Sequence, residues 1–355
     1  MKKFILFLQI LFLYLFSFSQ NLNLEVIQKG VFDDREYVGI YKPLNQVIFG
    51  ESSRINLVLN ADSNHSIHVG YSNFYEFGAP LKDIYHFLSA FYNFNKSFFD
   101  FKIGLFDRTE YTNQFPICLI DPVYQYYRHN IEGVGISVNK NFIKVKFFCD
   151  WNSRQTFVKN ERFNIGTDLK LTWKKLYSQT FFSMQHLAGK SDTTEPQGLR
   201  DNLQVLTGIG WSDTLIKNLH LDLFASYLVG WDRNRGYIEV QNYDWVKANG
   251  LFAQAKIKYK YFGVNYYFYY GQSQNIFLGN PFYGSNKPNF TNINFDYTGK
   301  RIYHRIELLA FYENKNLNAN FRMAFHITDG GLQLQPILQI TYKLGVKLYQ
   351  AKPKN

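Results

Sequence analysis

The sequence predicts an all-β protein that forms a transmembrane antiparallel β-barrel of about 16 strands, with about 14 as the alternative count. Three observations support this fold class. Apolar and polar side chains alternate along many short segments, and the connections between these segments alternate between short and long. Phe, Trp and Tyr together make up 19% of the 355 residues. A barrel needs an apolar outer face, a polar interior and aromatic girdles at both membrane interfaces, and these features meet those needs.

The N-terminal segment resembles a signal peptide. Met1-Lys2-Lys3 is a charged start, the stretch from Phe4 to Phe16 is apolar, and Ser17-Phe18-Ser19 supplies small residues before Gln20. This arrangement predicts cleavage after Ser19 and export of the protein. An uncleaved anchor helix is the alternative, but about thirteen apolar residues fall short of the roughly 20 that span a bilayer.

Charge and hydropathy exclude other classes. Loss of Lys2 and Lys3 lowers the formal net charge from +11 to +9. No later stretch reaches about 18 consecutive apolar residues, so the sequence predicts no transmembrane helix. A basic protein can bind nucleic acid, but an exported one rarely meets it, and these lysines alternate with apolar residues instead of forming a patch. We therefore expect no nucleic-acid partner.

The clearest strand is Ala255-Lys256-Ile257-Lys258-Tyr259-Lys260-Tyr261, in which lysines alternate with apolar residues. Successive side chains of a strand point to opposite faces, so this strand has one apolar face and one cationic face. The same alternation is visible, with varying strength, in 55–59, 67–71, 99–105, 143–147, 169–174, 219–229, 264–270, 306–312, 319–327 and 338–344.

The connections fall into two length classes. Short ones are expected near 60–65, 95–97, 139–141, 174–176, 213–218, 261–263 and 313–316, and long ones near 106–130, 152–162, 189–202, 231–247 and 273–301. Short periplasmic turns and long extracellular loops are typical of outer-membrane barrels. The predicted organisation is a signal peptide at 1–19, a periplasmic or luminal segment at 20–44, the barrel at 45–349 with an uncertain first strand near 45–49, and a tail at 350–355.

Charged residues indicate a candidate constriction. The connection 106–130 carries both signs of charge, and a loop of this kind narrows a porin when it folds inward. A solvated outer loop is the alternative, although Tyr124, Tyr126 and Tyr127 favour a packed one. Lysines that point into the lumen would attract anionic solutes through their positive field. The alternative is that any barrel interior is polar and that these lysines only lie at its rim, near the periplasmic turns. The candidate lumen-lining residues are Asp107, Arg108, Glu110, Asp121, Arg128, Glu132, Lys144, Lys146, Arg154, Lys170, Lys256, Lys258, Arg305, Glu307 and Arg322.

Residues that carry chemistry are few. A serine hydrolase needs a serine beside a histidine that a third group orients. None of the eight histidines lies in a His-x-Ser pattern, and His65-Ser66 places its two side chains on opposite faces of a strand. We therefore expect that the protein is not an enzyme. His65 and His68 are the only close pair of histidines in the sequence, so we also expect no metal site and no cofactor. Cys118 and Cys149 form one disulfide or remain two free thiols.

A set of motifs lies between residues 30 and 165. It consists of Asp34-Arg35-Glu36-Tyr37, Tyr75-Glu76-Phe77-Gly78, Gly104-Leu105-Phe106-Asp107-Arg108, Asp121-Pro122 with Tyr126-Tyr127-Arg128-His129-Asn130-Ile131-Glu132-Gly133, and Asp150-Trp151-Asn152-Ser153-Arg154-Gln155. Together these motifs resemble a porin-like outer-membrane barrel family of Bacteroidota. The resemblance implies the location and the fold, and its motifs are not catalytic signatures. One departure is that Gly104–Arg108 stands where a Gly-x-Phe-Pro-Arg segment is expected, with Pro116 arriving later.

These observations lead to one expected function and one alternative. We expect a porin-like channel of the cell outer membrane for passive diffusion of small hydrophilic solutes, including anionic ones. The alternative is a non-conducting structural or secretion-associated barrel that binds a partner protein. The expected partners are the lipid bilayer, lipopolysaccharide, the barrel-assembly machinery and further copies in a homotrimer. The sequence leaves open whether residues 106–132 fold into the lumen.

Overall fold

The computed structural model describes residues 21–37, 46–190, 199–235, 242–284, 299–328 and 331–350. They form one closed antiparallel barrel in which strands pair in chain order and the first strand also pairs with the last. The predicted fold class and the count of 16 strands are confirmed. The predicted signal peptide lies outside the described residues.

Sixteen strands make the wall of the barrel, and most of them are 11 or more residues long. They are β1 (Asn21–Asp34), β2 (Val47–Asn60), β3 (His65–Glu76), β4 (Tyr85–Lys96), β5 (Phe99–Asp107), β6 (Asn130–Asn139), β7 (Ile143–Ser153), β8 (Arg162–Trp173), β9 (Leu176–Leu187), β10 (Leu199–Ile216), β11 (Leu219–Arg235), β12 (Asn242–Tyr259), β13 (Phe262–Gln272), β14 (Lys300–Glu313), β15 (Leu317–Thr328) and β16 (Gly331–Gln350).

Tight turns join hairpins at one end of the barrel. Ser97, Lys174, Asn218 and Lys260 lie in two-residue turns and have φ angles of 56°, 57°, 69° and 49°. Positive φ in such a turn matches the right-handed twist of the two strands that it joins. Short turns lie on the periplasmic side of outer-membrane barrels, so the opposite end, with the long connections, is the extracellular end.

The first strand corrects one interpretation of the sequence. β1 pairs with β2 from Asn21 to Asp34, whereas residues 20–44 were expected to lie before the barrel, so that boundary is wrong. The reason lies on the outer face of β1, where Gln28 and Gly30 interrupt the series of apolar residues. The alternation is therefore too weak to recognise, although the backbone pairing is complete.

The outer face of the wall is apolar. In β12, Leu251 is 54% exposed while the adjacent Phe252 is 1% exposed, because neighbouring side chains point to opposite sides of the wall. Ile209 and Leu88 are also exposed on the outside. A closed barrel pairs all the backbone polar groups of its wall, so this surface can lie in lipid.

Two chain segments enter the lumen from the extracellular end. The first inner segment, residues 108–129, follows β5 and contains α1 (Thr109–Thr112) and α2 (Val123–Tyr127). The second inner segment, residues 273–284, follows β13 and contains a 3-10 turn at Pro281–Tyr283. A further 3-10 turn, Leu81–Asp83, precedes β4. No helix in the described ranges is long and apolar enough to cross a membrane.

Candidate functional site

The first inner segment packs against the inside of the wall, which resolves the question left open by the sequence. The ring of Phe115 lies 6.1 Å from that of Phe148 in β7 and 5.3 Å from that of Phe181 in β9, measured between centroids. Cys118 is fully buried, and Tyr126 stacks on Phe74 of β3 at 6.1 Å. Side chains of the wall and of the segment thus form a buried core inside the barrel.

The second inner segment packs on the first. The backbone N–H of Asp121 donates to the carbonyl of Leu278 at 2.6 Å, and the N–H of Asn280 donates to the carbonyl of Ile117 at 2.9 Å. The side-chain amide of Asn280 also donates to the Asp121 carboxylate at 2.8 Å. The two segments therefore fill this level of the lumen as one body.

A buried ion-pair cluster, the Arg35 cluster (Asp33, Arg35 and Asp121), ties the first inner segment to the wall. Arg35 donates to Asp33 at 2.9 Å and to Asp121 at 2.8 Å, and its side chain is 2% exposed. Burial alone would raise the pKa of Asp121, but the Arg35 guanidinium and hydrogen bonds outweigh burial and hold that pKa below its usual range. Asp121 is therefore ionised and bound to its cation.

Several predicted lumen residues are paired inside the barrel. Arg108 lies 2.6 Å from Asp150, Arg305 lies 2.7 Å from Glu307, and Asp107 pairs with Arg54. Glu110 pairs with Lys102. The structure brings these predicted residues into the lumen, where Arg305 and Glu307, both candidates, pair with each other, and the other three pair with Arg54, Lys102 and Asp150, which are not among the candidates.

Other predicted residues line open space beneath the inner segments. Lys170, Lys256, Lys258 and Arg322 line a cavity of about 440 Å³, which we call the lower cavity. Lys146 donates to the backbone carbonyl of Glu110, and Lys144 lies two residues away on the same face of β7.

Three predicted residues lie away from that space. Glu132 is exposed and follows the fully buried Ile131, so strand alternation places it on the outer face, contrary to expectation. Arg154 is exposed in the connection between β7 and β8. Arg128 follows α2 and donates to Asn152 at 3.2 Å. Glu132 therefore does not line the lumen, because it lies on the lipid-facing side of β6, and Arg154 does not, because β7 ends before it at Ser153.

Three histidines lie within hydrogen-bonding distance of a serine hydroxyl in the described ranges. Ser66 Oγ lies 3.0 Å from His68 Nε2, Ser72 Oγ lies 3.4 Å from His129 Nδ1, and Ser212 Oγ lies 3.3 Å from His220 Nε2. A His-x-Ser pattern misses all three contacts, because the serine precedes the histidine in each of them, and in two of them it lies in a different segment of the chain. In the described ranges none of these three histidines hydrogen-bonds to a carboxylate, and Ser72 is fully buried. None of these contacts has the third group that a serine hydrolase needs to orient its histidine.

His186 is different, because it hydrogen-bonds to a carboxylate on the outer face. His186 in β9 and Asp201 in β10 are directly paired across the sheet, and Nδ1 lies 2.7 Å from Oδ1. Arg200 and Asn202, on either side of Asp201, both bond to Asp232 and point into the lumen. Asp201 therefore points outward, although it is only 3% exposed.

Arg233 of β11 holds the other side of this carboxylate. Its Nε and Nη2 donate to Asp201 Oδ2 at 3.1 and 2.7 Å. The guanidinium also lies over the ring of Trp245 in β12, 4.4 Å from the centroid. Fixed from both sides, the carboxylate holds the His186 ring in one orientation and leaves Nε2 free of Asp201.

Aromatic rings flank His186 on its other side. Phe163 of β8 stacks on the imidazole at 4.8 Å, and Trp151 of β7 stacks on Phe163 at 5.2 Å. We call the six residues the outer-face cluster; they are Trp151, Phe163, His186, Asp201, Arg233 and Trp245. All six lie near the extracellular ends of their strands, the level at which aromatic girdles meet lipid headgroups.

The outer-face cluster could not be recognised from the sequence. His186 and Asp201 are separated by a long connection, and their contact depends on strand register, which a single sequence does not reveal. Within the described ranges, no group of three or more His, Cys, Asp or Glu side chains is placed to hold a metal ion. Cys118 and Cys149 are both free thiols.

The fold is similar to that of solved outer-membrane porins. OmpF of Salmonella typhi, solved in complex with daunomycin, matches with a TM-score of 0.52 and 11% identity over 92% of this chain and 98% of that chain. A loop L8 deletion mutant of OmpT from Vibrio cholerae matches with a TM-score of 0.54 and 7% identity over 91% and 99%. At such identities the likeness concerns the fold alone. A comparison with curated proteins found no match.

A match to a protein-family model identifies the family of this chain, which the fold alone does not. The model described as "Lipid A 3'-O-deacylase-type" matches residues 16–351. It is a model of an enzyme family, so the expectation drawn from the histidines and serines, that this protein is no enzyme, is wrong. A local His-x-Ser pattern does not cover all catalytic arrangements of a barrel, since residues that are distant in sequence meet across its strands. The chain, an outer-membrane barrel of porin-like fold, belongs to the lipid A 3'-O-deacylase-type family.

Proposed function

We propose that this protein hydrolyses an acyl ester of lipid A at the outer face of its barrel, with His186 as the general base. The observation that carries the proposal is the 2.7 Å hydrogen bond between His186 and Asp201 on the surface that faces the outer leaflet. Lipid A is the substrate named by the family, and a site on the outer face meets such a lipid without moving it into the lumen.

The chemistry follows from the hydrogen bonds. With the proton on Nδ1 donated to Asp201, Nε2 of His186 carries a lone pair and can accept a proton from water. The resulting hydroxide oxygen attacks the ester carbonyl, and the proton on Nε2 then passes to the leaving alkoxide as the ester C–O bond breaks. Asp201 stabilises the imidazolium that forms between these two steps. Water is the nucleophile, because in the described ranges no serine, threonine or cysteine bonds to His186.

The surroundings suit a phosphorylated glycolipid. Arg233 is 26% exposed, and Lys247 is exposed on the same face of the neighbouring strand. Cations at this level attract lipid phosphates, and a guanidinium near the carbonyl stabilises the negative charge of the tetrahedral intermediate. Trp151 and Trp245, 45% and 41% exposed, bracket the site with rings that favour the membrane interface.

Mass spectrometry of lipid A tests the proposal. Cells lacking the protein are complemented with the wild type, His186→Gln, Asp201→Asn or the control His304→Gln. His304 is also on the outer face but bonds to Tyr266 instead of a carboxylate. We expect the wild type and the control to release an acyl chain and the two site variants to lose about 100-fold or more in rate. Unchanged lipid A with the wild type, or full activity of His186→Gln, would refute the proposal.

Passive diffusion of small hydrophilic solutes, including anionic ones, is a second candidate function. The cationic lower cavity supports it, but solutes would pass only if the two inner segments moved aside. The non-conducting alternative, a barrel closed by its own chain that binds a partner protein, is supported by the buried core in the lumen. Planar-bilayer conductance of the purified protein separates the two, since steady stepwise currents require an open lumen.

The assembly of the protein is also part of this proposal. The barrel lies in the outer-membrane bilayer. We propose in addition that it contacts lipopolysaccharide, is inserted by the barrel-assembly machinery and forms a homotrimer. Cleavage of residues 1–19 and an origin in Bacteroidota remain predictions from the sequence. Chemical cross-linking in intact membranes and N-terminal sequencing of the mature protein test the trimer and the cleavage.

A further inference from the structure

The lower cavity has an excess of positive charge. Its lining contains four cationic side chains, Lys170, Lys256, Lys258 and Arg322, against two carboxylates, those of Asp222 and Glu313. A cavity lined by one sign of charge within low-dielectric walls concentrates counter-ions. Its volume of about 440 Å³ lies in the range of small-molecule sites.

Most of the charged groups around this cavity already have partners. Lys170 and Lys258 lie over aromatic rings, and Arg322 lies 3.6 Å from Glu307. The Asp222 carboxylate accepts a hydrogen bond from Tyr177 at 2.9 Å. These contacts hold the lining in a defined geometry.

Lys256 is the exception. Its side chain is half-buried, and within the described ranges it forms no hydrogen bond and no ion pair within 4.0 Å, although the carboxylates of Asp222, directly opposite on β11, and Glu307 attract it. A partly buried ammonium without a partner is costly, and an oxyanion that accepts its N–H groups removes that cost. The position of Lys256 in the lining, between Gln254 and Lys258 on one face of β12, directs it toward the cavity.

The cavity is closed on its extracellular side and open toward the periplasm. Gln114 and Pro116 of the first inner segment line its upper end, and the buried Phe115 and Cys118 lie beside them. Lining residues at the other end, His220 and Gly263, are next to the short turns. A ligand therefore enters from the periplasmic side and meets a closed end.

We propose that the lower cavity is a binding site for a small, multiply charged oxyanion from the periplasm, with Lys256 as its central ligand. Phosphate and dicarboxylate groups share the required chemistry, since both offer several acceptor oxygens and at least two negative charges. The site is separate from the outer-face cluster and does not depend on hydrolysis there. It also differs from a diffusion path, because the bound anion leaves by the way it entered.

Calorimetric titration of the purified full chain in an uncharged detergent tests this inference. The probes are inorganic phosphate, succinate and chloride, and the variants are Lys256→Met, which keeps most of the side-chain volume, and the control Lys315→Met in an exposed turn. We expect phosphate or succinate to bind, to bind more weakly at high salt, and to lose about tenfold or more in affinity only in Lys256→Met. The probe that binds more tightly identifies the anion class.

Three results would overturn the inference. They are no saturable binding of either oxyanion, binding no stronger than that of chloride, and equal affinity in Lys256→Met and Lys315→Met. If Lys256→Met fails to fold, Lys258→Met replaces it, because Lys258 is exposed at the mouth of the same cavity. Lipid A hydrolysis is measured in the same preparations, so loss of anion binding and loss of the proposed enzyme activity are scored separately.

Discussion

Replacing Arg35 with Met should release the first inner segment from the wall. Arg35 is the shared cation of Asp33 and Asp121, and all three side chains are at most 4% exposed. Met keeps much of the side-chain volume but leaves two carboxylates without their cation. Removing one partner of a buried ion pair costs about 3–5 kcal/mol. At 1.4 kcal/mol per factor of ten, the population of the opened segment should rise roughly 100- to 4,000-fold.

Cys118 reports this opening directly. It lies in the first inner segment, is fully buried, and burial raises the pKa of its thiol, so the closed form reacts slowly with thiol reagents. In a Cys149→Ser background, the rate of Cys118 modification follows the open population when closing is faster than the reaction. Arg154→Met, at an exposed extracellular position, is the matched control. Equal rates in Arg35→Met and Arg154→Met would refute this account of the Arg35 cluster.

Three further perturbations probe the luminal packing. Burial, together with Arg54, lowers the pKa of His129 to about 4, so as pH falls the unfolded chain binds a proton before the folded one does. The contribution of His129 to the free energy of unfolding should be complete above about pH 6.5 and fall by up to about 3 kcal/mol toward pH 4. His129→Asn should flatten this loss when urea unfolding is measured at neutral and acidic pH. Glu307→Gln leaves Arg305 buried without its anion and should lower the free energy of unfolding by about 3–5 kcal/mol in the same assay. The control Glu313→Gln, at an exposed position, should lower it by less than about 0.5 kcal/mol. Comparable losses in the two variants would contradict the burial argument. A Cβ added at Gly135 would lie 2.5 Å from the Tyr111 ring, whereas one at Gly30 meets nothing within 4 Å, so Gly135→Ala alone should speed Cys118 modification.

The wall of the barrel could be predicted because its signal is local. In 255–261 each side chain reveals its face through its own polarity, and this holds wherever the outer face is continuously apolar. β1 was missed where that condition fails, at Gln28 and Gly30. Prediction from alternation therefore works for a strand only as far as its lipid-facing side remains apolar.

The contents of the lumen could not be predicted, because they depend on contacts between distant residues. Asn280 and Asp121 are 159 positions apart, and nothing near either residue indicates the other. The charges between 106 and 132 were recognised as a candidate constriction, but their ion-pair partners were not. The outer-face cluster was missed for a related reason, since His186 meets Asp201 only in one of several possible strand registers.

The seam between β1 and β16 has a consequence for biogenesis. Asp33 and Gln335 bond at 2.6 Å across this seam although 302 positions separate them. Bringing such distant parts together costs chain entropy, and until it happens both terminal strands present unpaired backbone groups that can join another chain. A partly assembled barrel is thus most exposed to aggregation along this single line, and whatever helps the last strand meet the first determines the yield of inserted protein.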